Sequence, residues 1–532
     1  MAVHRAAVID REDMPPTSFV STTIPYVNGR PHLGHAFEYV QTDCFARHMR
    51  LMGDETFVLS GSDDNSLKNV LAAEREGVTP RELVDRNVVH FRRLIEALDV
   101  RLDRFIETSR DVDHREGATE VWRRMAATGD IYEKSYAGLY CVGCEQFYGP
   151  SELVDGKCPE HLVEPELVSE RNYFFRLSRY AERLEQALRS GELVVTPPSR
   201  LNEVLSFIGS GLEDISVSRS VERARGWGIP VPGDPSQVMY VWIDALTNYI
   251  NALGWSRDAP EFEHFWTSGD RRVHVLGKGV LRFHAVYWPA MLMSAGLPLP
   301  TEVVVHGYIT TAGQKLSKSL NNSIDPIDLV DRYGREAVRF YLLSEFSPFR
   351  DGDFSEERLV GTYNDALANG LGNLASRLSG MIGRYFDGRV PPSAVTTETS
   401  ALGAQVLASS EGSSGALDRY DHREAIASIW QLVRAANTHV SETAPWVLAK
   451  AAAGGDEHAA EQLATTLYEL AGAVRQLGRM LLPILPSPAT TILEMFGETD
   501  GSVPDAEHWL DGLAGQEVRV AGALFPRLEL TA

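Results

Sequence analysis

A chain of 532 residues is too long for one core and implies roughly two to four domains. Its 44% apolar and 23% charged content excludes a disordered chain, and no apolar run approaches the ~18 residues that cross a bilayer. The formal net charge of −22 excludes an indiscriminate polyanion binder while leaving room for local basic patches, and four cysteines are too few for a secreted disulfide framework.

Residues 1–17 read as a polar lead without the apolar centre of a signal peptide, so a cytoplasmic protein is expected. Ser18–Ile24 reads as a buried strand, broken by Pro25, Asn28 and Gly29. An amphipathic helix follows over 36–52, then a strand at Glu55–Ser60 and a helix over 67–75. Thr79-Pro80 pairs an N-cap with proline at the first helical position and opens a helix to about Leu98. Strands alternating with helices imply a parallel sheet with right-handed crossovers, hence an α/β core over 18–110. Residues 111–225 interrupt that pattern and read as an insertion. Strand character returns at Val238–Ile243, Val273–Leu276 and Glu302–His306, giving a second half of the core over 226–300 and a connecting region over 301–354. From 355 to 532 helical periodicity predicts an all-α bundle, with loops expected at 387–400 and at the Gly/Ser-rich 409–415.

Four groups of residues carry chemistry. His32-Leu33-Gly34-His35 follows a strand and opens a helix, where free backbone N–H groups meet an anion and two imidazoles can donate to phosphate oxygens. Gly34 leaves room for a flat base against the backbone. By themselves four such residues are equally a plain turn. Lys315-Leu316-Ser317-Lys318-Ser319, after Gly313, puts two cations on a loop that can close over a triphosphate; it lacks the Walker A pattern, and alone it is an ordinary basic loop. Cys141-x2-Cys144 and Cys158-x2-His161 offer three thiolates and an imidazole, a tetrahedral zinc set with no open position and so a structural role. Tyr240–Leu246 with Tyr249 is an aromatic strand–helix segment that by itself reads as core.

In combination, HLGH and KLSKS resemble the HIGH and KMSKS signatures of class I aminoacyl-tRNA synthetases, whose Rossmann-like core is split by a connective insertion. The zinc spacing, the Ile24–Gly29 turn, Tyr240–Leu246 and Gly277-Lys278 continuing to Arg282-Phe283-His284 resemble the methionyl branch of that family, over about 18–493. The resemblance implies that His32, Gly34, His35, Lys315, Ser317 and Lys318 bind ATP. Tyr26, Trp242, Ala245, Leu246, Tyr249, Val280 and His284 would surround a methionine side chain, where aromatics suit a polarisable sulfur and Tyr or His can offer it a hydrogen bond. Asp63 would hold the amine, and Arg219 would lie near the reacting groups. Asn373, Arg377 and Trp446 would read the anticodon, the indole by stacking. Implied partners and cofactors are L-methionine, ATP with Mg²⁺, one structural Zn²⁺ and tRNA(Met), on a monomeric chain. The implied reaction is methionyl-adenylate formation followed by transfer to tRNA.

The insertion is too short for the large editing domain of the leucyl, isoleucyl and valyl relatives. Two positions depart from the family pattern: Asp63-Asp64-Asn65-Ser66 replaces Asp-Glu-His-Gly, and Gly279 replaces an aspartate. These departures leave open an enzyme that activates an amino acid for another acceptor, which the anticodon elements argue against. A tRNA-binding chain without activity is the third alternative, opposed by the intact HLGH and KLSKS.

Overall fold

The computed structural model describes residues 15–142, 146–149, 152–159, 162–311, 313–315, 324–498, 506–519 and 524–530. It divides into two compact units. The first comprises Met1–Pro31, Met52–Arg93 and Arg101–His306, and the second His32–Leu51, Leu94–Val100 and Gly307–Ala532.

The first unit is built on a six-stranded sheet. Its strands are β1 (Thr17–Ser21), β2 (Glu55–Ser62), β3 (Arg104–Glu107), β4 (Val194–Thr196), β5 (Arg271–Gly277) and β6 (Glu302–His306). They run in the order β3-β2-β1-β5-β6-β4, and every neighbouring pair is parallel. Val20 lies opposite Val58 on one side and Val273 on the other, all fully buried, as expected of a sheet covered on both faces. The order reverses direction between β1 and β5, so the carboxyl ends of these two strands flank the crevice where open α/β sheets bind ligands. The outer strand β4 comes from within the 111–225 insertion.

The insertion also forms a four-stranded antiparallel sheet in which Ile131–Cys141 pairs along its length with Glu166–Phe175. A smaller three-stranded sheet holds Ser218–Ser220 against Asp234–Met239. The strand expected at Val238–Ile243 divides: pairing stops at Met239, and Val241–Leu246 is helical. Val241 and Ile243 are buried in the main core, so packing overrides their β-propensity.

In the second unit the helix Leu33–Leu51 packs on the C-terminal helices. Phe37 meets Phe346 and His422, and Phe45 meets Tyr420. Arg339, 1% exposed, pairs with Asp43 at 2.8 Å and donates to the carbonyls of Leu98 and Ile484. Burial pushes the thiol of neighbouring Cys44 up to about 12. Arg339→Met should therefore lower unfolding stability by about 3–5 kcal/mol, since it leaves the Asp43 carboxylate buried with less compensation. Denaturant melts check this, and a loss under about 1 kcal/mol contradicts it.

The Gly/Ser-rich stretch expected as a loop is the interior of a helix, Gly403–Asp418. Ser409 and Ser413 are buried, and a Cβ at Gly412 would stand 3.0 Å from Ser428 Oγ on the helix His422–Thr443. Small residues here let two helices approach closely. Among the described residues no helix is long and apolar enough to cross a membrane.

Candidate active site

The first unit gathers the expected amino-acid residues at the carboxyl ends of β1, β2 and β5. Tyr26 follows β1 and forms a parallel bridge with Asp63, which follows β2 and donates its backbone N–H to the Pro25 carbonyl. Asp63 is 1% exposed. The Tyr26 and Trp242 rings meet edge to face at 6.2 Å, and Trp242 stacks on Phe283 at 3.8 Å. Ala245, Leu246 and Tyr249 are buried beside them, and Val280 and His284 come from the segment after β5. The buried Trp242 Nε1–H has no acceptor among the described residues, which leaves a donor for a ligand.

His284 Nδ1 lies 2.9 Å from the Val280 carbonyl, so Nδ1 carries the proton and Nε2 accepts from the Tyr249 hydroxyl at 2.7 Å. The pair satisfies itself. With these bonds made, the His284 ring meets Trp242 edge to face at 6.4 Å. Behind it His274 accepts from or donates to Ser21 Oγ at 2.8 Å, and burial holds its pKa well below the ordinary imidazole value.

His274, Asp244 and His114 were given no role by the sequence reading, and Phe283 and Asn65 were noted only as members of their motif segments. The usable signal was Asp244, a carboxylate inside the apolar run Val238–Leu246. Asp244 is fully buried and bonded to Asn65 and His114.

Asp64 is buried beside Asp63 and accepts from Ser109 through N–H and Oγ, at 3.0 and 2.7 Å. Burial outweighs these bonds and raises its pKa from 3.8 to about 6. The native state therefore holds this proton to higher pH than the unfolded chain. The stability it contributes is full below about pH 4 and is lost as pH rises to about 6. Asp64→Asn should gain melting temperature relative to the parent as pH rises through that window, and a pH-independent difference contradicts the assignment.

Arg219, 7% exposed, donates to Ser216 Oγ and the Ser218 carbonyl and lies over the Tyr240 ring at 4.3 Å.

In the second unit, His32 and His35 stack at 3.8 Å at the start of the helix Leu33–Leu51. The His32 N–H donates to His35 Nδ1 at 3.0 Å, and the Gly34 N–H donates to His32 Nδ1 at 3.1 Å. Both neutral rings thus carry their proton on Nε2, the tautomer that donates to an oxyanion. A Cβ at Gly34 would stand 2.9 Å from His32 Cε1, so glycine is required to keep this arrangement. Lys315 lies in the short strand Gln314–Lys315, opposite Thr310 and after Gly313 at φ +72°. Ser317 and Lys318 lie outside the described residues. The imidazole turn and the Lys315 strand belong to the same compact unit.

Asn373 opens the helix Asn373–Tyr385, and the Arg377 guanidinium lies 5.7 Å from the Trp446 ring. Trp446 is 48% exposed, just after Pro445 at the start of its own helix. Cys141 and Cys158 are buried in one small cluster with Tyr148 and Leu153. The turn before Cys158 is closed by reciprocal Val154–Lys157 hydrogen bonds, with Asp155 and Gly156 both at positive φ. Cys144 and His161 lie outside the described residues.

The family of tRNA synthetases class I (M) matches residues 18–164 and 162–379, and the anticodon binding domain of methionyl tRNA ligase matches 390–530. With the parallel sheet and its ligand crevice, this makes the chain a class I aminoacyl-tRNA synthetase. It is 40% identical to the methionine–tRNA ligase of Brucella suis over 520 residues, 96% of this chain and 97% of that one. It is also 40% identical to that of Caldanaerobacter subterraneus, covering 97% of this chain and 80% of the relative. The solved Mycobacterium tuberculosis methionyl-tRNA synthetase in complex with methionyl-adenylate superposes with a TM-score of 0.90 at 39% identity, covering 96% of this chain and all of that one. The chain belongs to the methionyl-tRNA synthetase family and is an aminoacyl-tRNA ligase.

Proposed function

We propose that the chain activates L-methionine with ATP and Mg²⁺ and loads it onto tRNA(Met). The methionine carboxylate attacks the ATP α-phosphorus, forming methionyl-adenylate as the bond to pyrophosphate breaks. A terminal ribose hydroxyl of the tRNA then attacks the adenylate carbonyl, its proton is lost, and AMP leaves. Asp63 holds the ammonium. Tyr26, Trp242, Ala245, Leu246, Tyr249, Val280 and His284 enclose the thioether chain, and Arg219 acts near the reacting groups. His32 and His35 donate through Nε2 to phosphate oxygens as charge grows there, while Gly34 admits the base. Lys315, Ser317 and Lys318 cover the departing pyrophosphate. Asn373, Arg377 and Trp446 read the anticodon.

The observation that carries this reading is the aromatic cluster of Tyr26, Trp242 and Phe283 beside the buried Asp63 carboxylate at the ligand crevice of the sheet. Charging assays with initiator and elongator tRNA test it. Methionyl-tRNA should form with both, and activation without charging would indicate a different acceptor.

Cys141, Cys144, Cys158 and His161 would hold one structural Zn²⁺, which fastens the insertion without taking part in the reaction. Two donors of the right chemistry, buried in one cluster at a tight turn, fit that role. Metal analysis should find about one zinc per chain, falling below about a tenth in Cys158→Ala, with the loss destabilising the insertion by several kcal/mol. Full zinc retention in Cys158→Ala contradicts this ligand set.

A further inference from the structure

Asp63 and the side-chain pocket sit on different segments of the first unit, and something must set the distance between them. Asn65, two residues after Asp63, donates from Nδ2 to Asp244 Oδ2 at 2.6 Å. Asp244 belongs to the helix Val241–Leu246, which also carries Trp242, Ala245 and Leu246. This bond is a direct side-chain link between the amine loop and the pocket helix.

Both ends of the link are anchored. On the loop side, Asn69 Nδ2 donates to the Asp63 and Asp64 carbonyls at 2.9 and 2.8 Å, and Trp227 Nε1 donates to the Asp64 carbonyl at 2.8 Å. On the helix side, His114 bonds the other oxygen of Asp244 through Nε2. Asn251 Nδ2 donates to the His114 carbonyl and to Thr247 Oγ1, which fixes its amide orientation, and it faces His114 Nδ1 at 3.3 Å. His114 therefore presents Nε2–H to Asp244. Gly117 makes this possible, since a Cβ there would stand 1.8 Å from Asn251 Oδ1. Asp244, His114 and Asn251 are all fully buried, so this frame is closed to bulk solvent.

We propose that Asn65 is a positioning residue: through Asp244 it sets the separation between the amine loop and the thioether pocket, and so the length of side chain that is accepted. The inference rests on the proposed roles of Asp63 and the Trp242 helix.

Asn65→Leu keeps the volume but removes the donor, leaving one buried carboxylate oxygen without that bond. Methionine-dependent pyrophosphate exchange should show KM for methionine raised about 10–100-fold, with kcat and the KM for ATP changed less than about threefold. The preference for methionine over ethionine, one methylene longer, should shrink about tenfold. Asn65→His, which returns a donor at this position, should bring both quantities back to within about threefold of the parent. An unchanged methionine KM in Asn65→Leu, equal losses for ATP and methionine, or failure of Asn65→His to restore them would each overturn the proposal. Absence of exchange in the parent protein would instead overturn the functional reading.

Discussion

Asp63→Asn should lower kcat/KM for methionine by about 10²–10³-fold, the loss expected when one partner of a buried charge pair is neutralised. The substitution keeps the shape but replaces one acceptor oxygen with an N–H donor and removes the charge. Asp63 is almost wholly buried, and its backbone is fixed by the Pro25 carbonyl and the bridge to Tyr26, so it cannot swing out to solvent. A methionine ammonium entering there loses its hydration and needs a carboxylate in return. Asp64 does not substitute, because its carboxyl is bonded to Ser109 on the other side of the loop. The defect should fall on methionine and leave the KM for ATP within about threefold. Steady-state exchange with each substrate varied checks this, and equal losses for both substrates contradict the role.

His35→Ala should act on the other half of the reaction, lowering kcat for exchange by about 10²–10³-fold with little change in the methionine KM. The backbone N–H of His32 occupies His35 Nδ1, so the proton stands on Nε2 before substrate arrives. A donor held in that tautomer at a helix start gains most when charge develops on phosphate in the transition state. Removing it therefore costs rate more than binding. His35→Ala removes the ring on which His32 stacks but leaves the Gly34 N–H bond to His32 Nδ1, so His32 should retain part of its own contribution. A change in KM alone would show that the imidazole only binds the ground state.

Much of the fold was legible because the periodicity was strong. Four of the six core strands, β1, β2, β5 and β6, follow β-rich runs between turn residues, and β6 spans the expected Glu302–His306. The helix opened by Thr79-Pro80 is real, and Thr79 forms a reciprocal capping pair with Glu82. What escaped was decided by contacts between distant segments. The β4 strand Val194–Thr196 is three residues long and is defined by its neighbour β6. Gly403–Asp418 is helical because its serines and glycines admit a neighbouring helix, a gain invisible to local composition.

The site divides along the same line. His32 and His35 could be singled out as candidates from their motif, and Asp63 from the family resemblance. Their support could not: Asn65, His114 and Asn251 are polar residues far apart in the chain, and only the fold shows that they meet at Asp244. Likewise, the tautomer of His284 follows from the Val280 carbonyl.

The most direct test of the account is ATP–pyrophosphate exchange by the purified chain with single amino acids. Robust exchange with L-methionine and at least about 10²-fold less with leucine, isoleucine or valine is the predicted result. No exchange with methionine, or equal exchange with leucine, would contradict it.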